Sequence, residues 1–401
     1  MTNPRISIII PVFNTERYLY QCLASLQAQT FSDFEIIAIN DGCSDGSPAL
    51  LQKFQEKDAR IRVIKIANQG AGFARNIGIK EAKGEYLLFL DSDDFFAPRL
   101  LEEAYQTIMK YEADIVIFGI TEYSEKTQEY VAADNIIQIE HAPYKKAFSY
   151  RDMPQYIFNA FQSWPWNKMF RRKFVEENGL EFQNLRRTND LYFVYCALVT
   201  AQRIVVLPAN LVYYRKDNAT SSQASNHLAP TDFYQALTAL QDFLKKKERY
   251  PEVKQSFVNM AASGCLYNLK SLKTETSFTV VYDLLKNEAF RKLDIAGQDK
   301  TYFYDPEIFA EITAIMTLSS GAYLFNRLES LQSELQKTKK ILNLGKSDQP
   351  DLFSYKLGRI LSFPLRKLRG GIKCIADHGW SYTLRYTFRK LKKPGNFSDK
   401  I

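Results

Sequence analysis

At 401 residues the chain exceeds one ordinary domain, so two or three folded units are expected. Its 46% apolar and 14% aromatic content supplies a sizeable core and excludes a disordered chain. The net charge is +8, yet residues 352–401 carry 12 Lys/Arg against Asp377 and Asp399, and residues 1–351 carry 41 basic against 43 acidic groups; this excludes a nucleic-acid-binding core and leaves a basic appendage.

The first 120 residues alternate strand and helix patterns. Ile6–Ile10 is a continuous β-branched run, and Tyr18–Ala28 has apolar residues at helical spacing. Glu35–Ile39, Ile61–Ile66, Tyr86–Leu90 and Asp114–Phe118 read as strands; Pro48–Lys57, Gly72–Ala82 and Pro98–Tyr111 read as helices. Such alternation implies βαβ units in a mostly parallel sheet flanked by helices, with ligands beyond the carboxyl ends of the strands. Four loops stand there: Pro11–Asn14, Asn40–Ser47, Asn68–Gly72 and Asp91–Asp94. Thr121–His141 suggests a hairpin insertion, residues 150–215 return to mixed structure, and Asp232 to about Ile315 reads as a separate helical domain. Leu324, Leu328, Leu331, Leu335, Thr338 and Leu342 follow 4-3-4-3-4 spacing, which fits a homo-oligomer seam or a solvated helix packed on the body equally well. The expected division is 1–225, 226–320, 321–345 and a basic tail, 351–401.

The five cysteines are scattered and odd in number, without metal-ligand spacing, which fits a reducing, cytoplasmic compartment. No segment has the pattern of a secretory signal or of a spanning helix, so the chain is expected to be soluble or peripheral.

The acids at the end of the fourth strand carry the clearest chemistry. Asp91-Ser92-Asp93-Asp94 places three carboxylates where a parallel sheet presents its ligands, and Asp91 and Asp93 alternate onto one side. Clustered carboxylates repel unless a cation lies between them, and hard oxygen ligands suit Mg²⁺ or Mn²⁺. A single helix cap needs only one such acid. Asp41 leaves the second strand, where it fits either a ligand contact or a turn. Gly70-Ala71-Gly72 precedes the helix carrying Arg75, an arrangement able to receive phosphate.

Ser7–Asn14, Asn40–Ser47, Asn68–Asn76 and Leu90–Asp94, in this order and spacing, resemble glycosyltransferase family 2 over residues 5 to about 215. The resemblance implies a GT-A fold, an inverting mechanism and a nucleotide-sugar donor, for which a UDP-sugar is expected. It would place Pro11, Phe13, Asn14 and Asp41 at the nucleobase and ribose, with Asn68 and Arg75 closing the pocket. Asp91 and Ser92 would stand near ribose and phosphates, and Asp93, with Asp91, would ligate the metal. The base of such enzymes follows a Trp-Asn-Lys segment; here Trp166-Asn167-Lys168 precedes Asn189-Asp190, so Asp190 matches the base while Asn189 replaces a common Glu. Trp164 and Trp166 either belong to the core or flank the acceptor, and Arg215 either reaches the diphosphate or forms a surface ion pair. His227 stands where some GT-A enzymes supply a late metal ligand.

The tail interleaves basic residues with Leu357, Leu361, Phe363, Trp380, Tyr382 and Phe388. Such a segment suits an anionic membrane surface, with RNA or an acidic protein as alternatives. The expectation is therefore a cytoplasmic, peripheral enzyme acting on a cell-surface polysaccharide or its lipid-linked precursor. The competing readings are a non-catalytic membrane adaptor that retains the fold and a sugar nucleotidyltransferase. Against the second, Pro11–Glu16 lacks the Gly, Arg and Lys of a nucleotidyltransferase phosphate loop. A processive polymerase would need spanning helices and a Gln-x-x-Arg-Trp segment, and the sequence has neither.

Overall fold

The computed structural model describes residues 3–133, 136–138, 140–143, 146–216 and 227–344, the last six by backbone alone. Among these residues two compact units are distinguished: those up to 216 with 231–261, and 227–230 with 262–344.

The first unit starts with strands β1 (Ile6–Val12), β2 (Phe34–Asp41), β3 (Ile61–Ile66) and β4 (Tyr86–Phe89). They lie parallel in the order β3-β2-β1-β4, joined through helices α1 (Glu16–Gln27), α2 (Ser47–Lys57) and α3 (Ala71–Glu81). Ile6, Ile8, Ile9 and Ile10 are all fully buried, so side chains pointing to opposite faces of β1 are both covered. That double burial explains a continuous apolar run where a one-sided strand would alternate. Helix α1 buries Leu19, Cys22, Leu23 and Leu26, the 3-4 stripe of an amphipathic helix.

Beyond β4 the sheet changes character. It continues through β5 (Phe95–Phe96), α4 (Leu100–Tyr111), β6 (Ile115–Ser124), β7 (Glu129–Ala132), β8 (Lys168–Arg171), α5 (Arg172–Glu177), α6 (Asn189–Thr200) and β9 (Ile204–Arg215). The order is β3-β2-β1-β4-β8-β6-β9-β5, with β7 paired to β6 as the expected hairpin. Strand β8 runs antiparallel to both neighbours, β4 and β6, and β5 runs antiparallel to β9. The sheet is therefore mixed. The mostly parallel expectation holds: β6 and β9 pair in parallel and run in the same direction as the first four strands, while β8 returns from β6 without a crossover helix, which lays a strand antiparallel.

Helices α7 (Asp232–Lys246) and α8 (Tyr250–Ser271) follow, and the boundary between the units falls within α8. In the first unit α7 packs on α6, with Tyr192 edge-on to Phe243 at 6.0 Å. The second unit holds the end of α8, then α9 (Glu275–Leu284), which passes through a π-helical turn at Leu285–Ala289 into α10 (Phe290–Lys292). Helices α11 (Pro306–Thr317) and α12 (Ser320–Leu344) complete it. Its core gathers Val281, Tyr282, Leu285, Phe290, Ile312 and Ile315. On α12, Leu324, Phe325, Leu328 and Leu335 are exposed. Among the described residues no helix is long and apolar enough to cross a membrane. The basic tail lies outside the described residues.

Candidate active site

The carboxyl ends of β1, β2 and β4 meet in one polar cluster. At the end of β1, Phe13 projects 46% exposed and Asn14 takes a left-handed φ of 52°. Asn14 accepts the Ser44 N–H at 2.8 Å, and Thr15 donates its hydroxyl to Ser92 Oγ at 3.0 Å. These bonds tie the β1 loop to the loops after β2 and β4. Asp41, 2% exposed, accepts the Gln69 N–H at 2.7 Å and the Gly70 N–H at 2.8 Å. The turn before α3 therefore directs these two donors at Asp41. Each Asp41 oxygen keeps a second lone pair. Gly42, at φ +72°, lies so close to the Asn68 backbone that a Cβ would stand 2.9 Å from its nitrogen. Asn68 itself is exposed at the rim.

Asp91, Asp93 and Asp94 bring one carboxylate oxygen each within 4.8 Å of one another. Asp94 is buried; its Oδ1 accepts the Arg215 N–H at 2.9 Å, and its Oδ2 has no hydrogen-bond partner among the described residues. Burial, reinforced by Asp93 and Asp91, pushes the Asp94 carboxyl well above the usual carboxylate range. Three converging acids, one with an orphaned buried oxygen, fit a hard divalent cation, which would relieve both strains. Within the described residues this is the sole such group of metal-capable side chains, and His227 is no part of it.

Arg215 departs from its expected place at the diphosphate. Its guanidinium is buried among Tyr18, Phe95 and Tyr123 and bonds Glu125 Oε1 at 2.7 Å and Gln21 Oε1. What Arg215 contributes to the acidic cluster is its backbone N–H. The competing reading, a surface ion pair, also misses: the Glu125 pair is internal on the arginine side, whose side chain is 3% exposed.

Arg75 joins the strand ends to α6. Its Nη2 donates to Asp91 Oδ1 at 2.7 Å and its Nη1 to Asn189 Oδ1 at 3.0 Å, while the guanidinium lies 5.3 Å over the Phe182 ring. Asp190, the next residue, stands half-buried in the first turn of α6. Burial raises its pKa, and the nearby Arg75 charge opposes that rise. A carboxylate so placed is better matched to proton uptake than one in open water.

The Trp164–Lys168 turn lies under the same region. Lys168 is fully buried, and its Nζ donates to Trp164 O at 2.7 Å, Gln162 O at 2.8 Å and Asn167 Oδ1 at 2.8 Å. Burial pulls its pKa down to about 7, against the upward pull of Asp190. Trp164 stacks on Trp166 at 4.8 Å, and Trp166 on Tyr214 at 5.3 Å. Trp166 is 4% exposed, so of the two tryptophans only Trp164 keeps appreciable open surface. Three residues of this site have roles that a reading of the sequence does not assign. Lys168 is legible as the last residue of the Trp-Asn-Lys segment, but its burial is not, because lysines belong to the surface by default. Tyr214 is signalled only by its aromatic character late in the final strand. Asn189 announces itself as the neutral neighbour of an acid, without its partner.

Residues 7–179 match glycosyl transferase family 2. The chain is 31% identical over 280 residues to the putative glycosyltransferase EpsH of Bacillus subtilis, spanning 67% of this chain and 78% of that one. It is 33% identical over 219 residues to the uncharacterized glycosyltransferase EpsJ of the same organism, covering 53% and 62%. With the poly(ribitol-phosphate) beta-N-acetylglucosaminyltransferase TarS of Staphylococcus aureus it shares 25% identity over 237 residues, 58% of this chain and 39% of TarS. The crystal structure of TarS 1–349 in complex with UDP-GlcNAc superposes with a TM-score of 0.59 at 20% identity, covering 80% of this chain and 89% of that one, which establishes a shared GT-A architecture. A match of this extent, with four polar loops gathered at the strand ends, makes the chain a glycosyltransferase that belongs to glycosyl transferase family 2.

Proposed function

We propose that the protein transfers a sugar, with inversion, from a UDP-sugar to a hydroxyl of a cell-surface polysaccharide or its lipid-linked precursor, with Asp190 as the base. The observation that carries this reading is Arg75, held between Asp91 of the strand end and Asn189 beside Asp190, which draws both halves of a transfer site together. TarS, which acts on poly(ribitol-phosphate) by name and binds UDP-GlcNAc in its crystal structure, supports the donor and acceptor classes.

In this reading Phe13 offers its exposed ring to the nucleobase, and Pro11, Asn14, Asp41 and Asn68 frame base and ribose. Arg75, Asp91 and Ser92 border the ribose and phosphates, with Arg215 acting through Asp94. Asp93 and Asp91, with Asp94 behind them, would hold Mn²⁺ or Mg²⁺. Such an ion supplies Lewis-acid stabilisation of the charge on the departing diphosphate. Asp190 takes the acceptor hydroxyl proton as the oxygen forms its bond to the anomeric carbon. The bond from that carbon to the diphosphate oxygen breaks on the opposite face, and its electron pair leaves with the UDP. The open surface of Trp164 packs against the acceptor, with Trp166 as its support.

The division of labour along the chain belongs to the same proposal: a catalytic domain through about residue 225, helices after it, a seam on α12 for a homo-oligomer, and a tail for an anionic membrane surface at the cytoplasmic face. Hydrolysis and transfer assays over UDP, GDP and dTDP sugars test the donor; turnover confined to GDP or dTDP sugars would overturn it. A chain ending at Gly345 is expected to lose co-sedimentation with anionic liposomes, and undiminished binding would remove the tail as anchor.

A further inference from the structure

Helix α6 carries Asp190 in its first turn, yet its N-cap residue does not fix where that helix begins. Its N-cap residue, Thr188, sits at φ 55° in the left-handed region and makes no side-chain cap hydrogen bond. A non-glycine residue there is uncommon and is held by its surroundings. Those surroundings are largely one face of α3. Asn76 donates its side-chain amide to Phe182 O at 2.8 Å and accepts the Phe182 N–H at 2.8 Å. A Cβ on Gly72 would collide with Gln183 O and stand 3.1 Å from Asn189 Cβ, so only glycine lets the two segments approach this closely. Gln183 N–H in turn donates to Asn189 O at 3.3 Å, and the Asn189 side-chain amide donates to Leu185 O at 3.4 Å. Arg75 completes the face, and the acceptor for its Nη1 is the Asn189 side chain.

We propose that Asn189 is a positioning residue that ties the start of α6, through Arg75, to the strand end at Asp91. The inference rests on Asp190 being the base. What the tether needs from residue 189 is a side-chain oxygen of the right reach, which the amide supplies. Arg75 keeps its bond to Asp91 when that oxygen is removed, so the donor side of the site stays assembled and the loss falls on the placement of Asp190.

The test uses the full chain and compares Asn189→Ala with Asn189→Asp, reading kcat and the UDP-sugar KM. Asn189→Ala is expected to lower kcat by about tenfold or more while the donor KM moves by less than about threefold. Asn189→Asp, which restores an acceptor oxygen for Arg75, is expected to regain most of that loss. In a double-mutant cycle with Arg75→Lys, the two losses should fail to add. Wild-type kcat in Asn189→Ala, a loss in Asn189→Asp as deep as in the alanine variant, or additive losses would each overturn the tether. Asp190→Asn separates the two layers: its full turnover would remove the base reading itself. An inactive Asp190→Asn beside a fully active Asn189→Ala would remove only the tether.

Discussion

The two sides of the proposed site, donor and acceptor, are built by different means. On the donor side, most functional groups stand at the end of a strand, within a few residues of its hydrophobic run: Phe13 after β1, Asp41 closing β2, Asp91 to Asp94 after β4. The parallel register of β1 with β2 and β4 then brings the three ends together. The acceptor side has no such economy. Trp164 comes from a turn before an antiparallel strand, Asp190 from a helix start, and Tyr214 from the last strand, and long-range contacts alone assemble them. A site can thus have one half specified by local sequence and the other by tertiary packing.

The largest effects should fall where the two sides meet. Asp190→Asn is expected to spare donor binding and lower transfer by about 10²- to 10⁴-fold, the range for losing a general base. Equal loss of donor affinity would mean that the two sides are one unit after all. Asp93→Asn acts on the donor side alone. It should abolish the Mn²⁺ dependence of UDP affinity and lower turnover by about a hundredfold. UDP affinity that responds to Mn²⁺ as in the wild type would remove Asp93 as a ligand.

The same contrast governs what could be read from the sequence. The alternation of Ile6–Ile10 with the stripe of α1 fixed the βαβ reading, because burial periodicity is written locally. The pairing of β8 between β4 and β6 was not legible, since strand order depends on contacts far apart in the chain. Asp41 shows the limit within a single motif. Its position at the strand exit was legible, but the bonds that hold the Gln69–Gly70 turn to it run across 28 and 29 positions of sequence. Arg215 goes further: the family resemblance suggests a diphosphate or a surface ion pair for it, and only the cage of Tyr18, Phe95, Tyr123 and Glu125 reveals how its guanidinium is held.

Stability separates the sides at the next level. Lys168→Met removes the partner of two part-buried carbonyls and of the buried Asn167 side chain, so it should destabilise the first unit by about 3 kcal/mol. In a unit of this size that lowers Tm by roughly 5–10 °C, measurable by thermal melting. A melting point within a degree of wild type would mean that the Trp164–Lys168 turn is held by something other than this ammonium.

The smallest expected effect is the most discriminating for the acceptor side. Trp164 and Trp166 are neighbours in one stack, identical in chemistry and different in burial. Trp166, enclosed between Trp164 and Tyr214, can act only through the fold, so its replacement by alanine should appear in Tm. Trp164, with its open surface, should lose little stability on replacement by alanine. Instead the acceptor KM should rise by up to about tenfold with the donor KM unchanged, as befits one lost ring contact. If both variants changed only Tm, the stack would be a structural pillar, and the acceptor would be held by residues other than these rings. If Trp164→Ala raised the donor KM instead, the ring would belong to the side of the site that the strand ends already define.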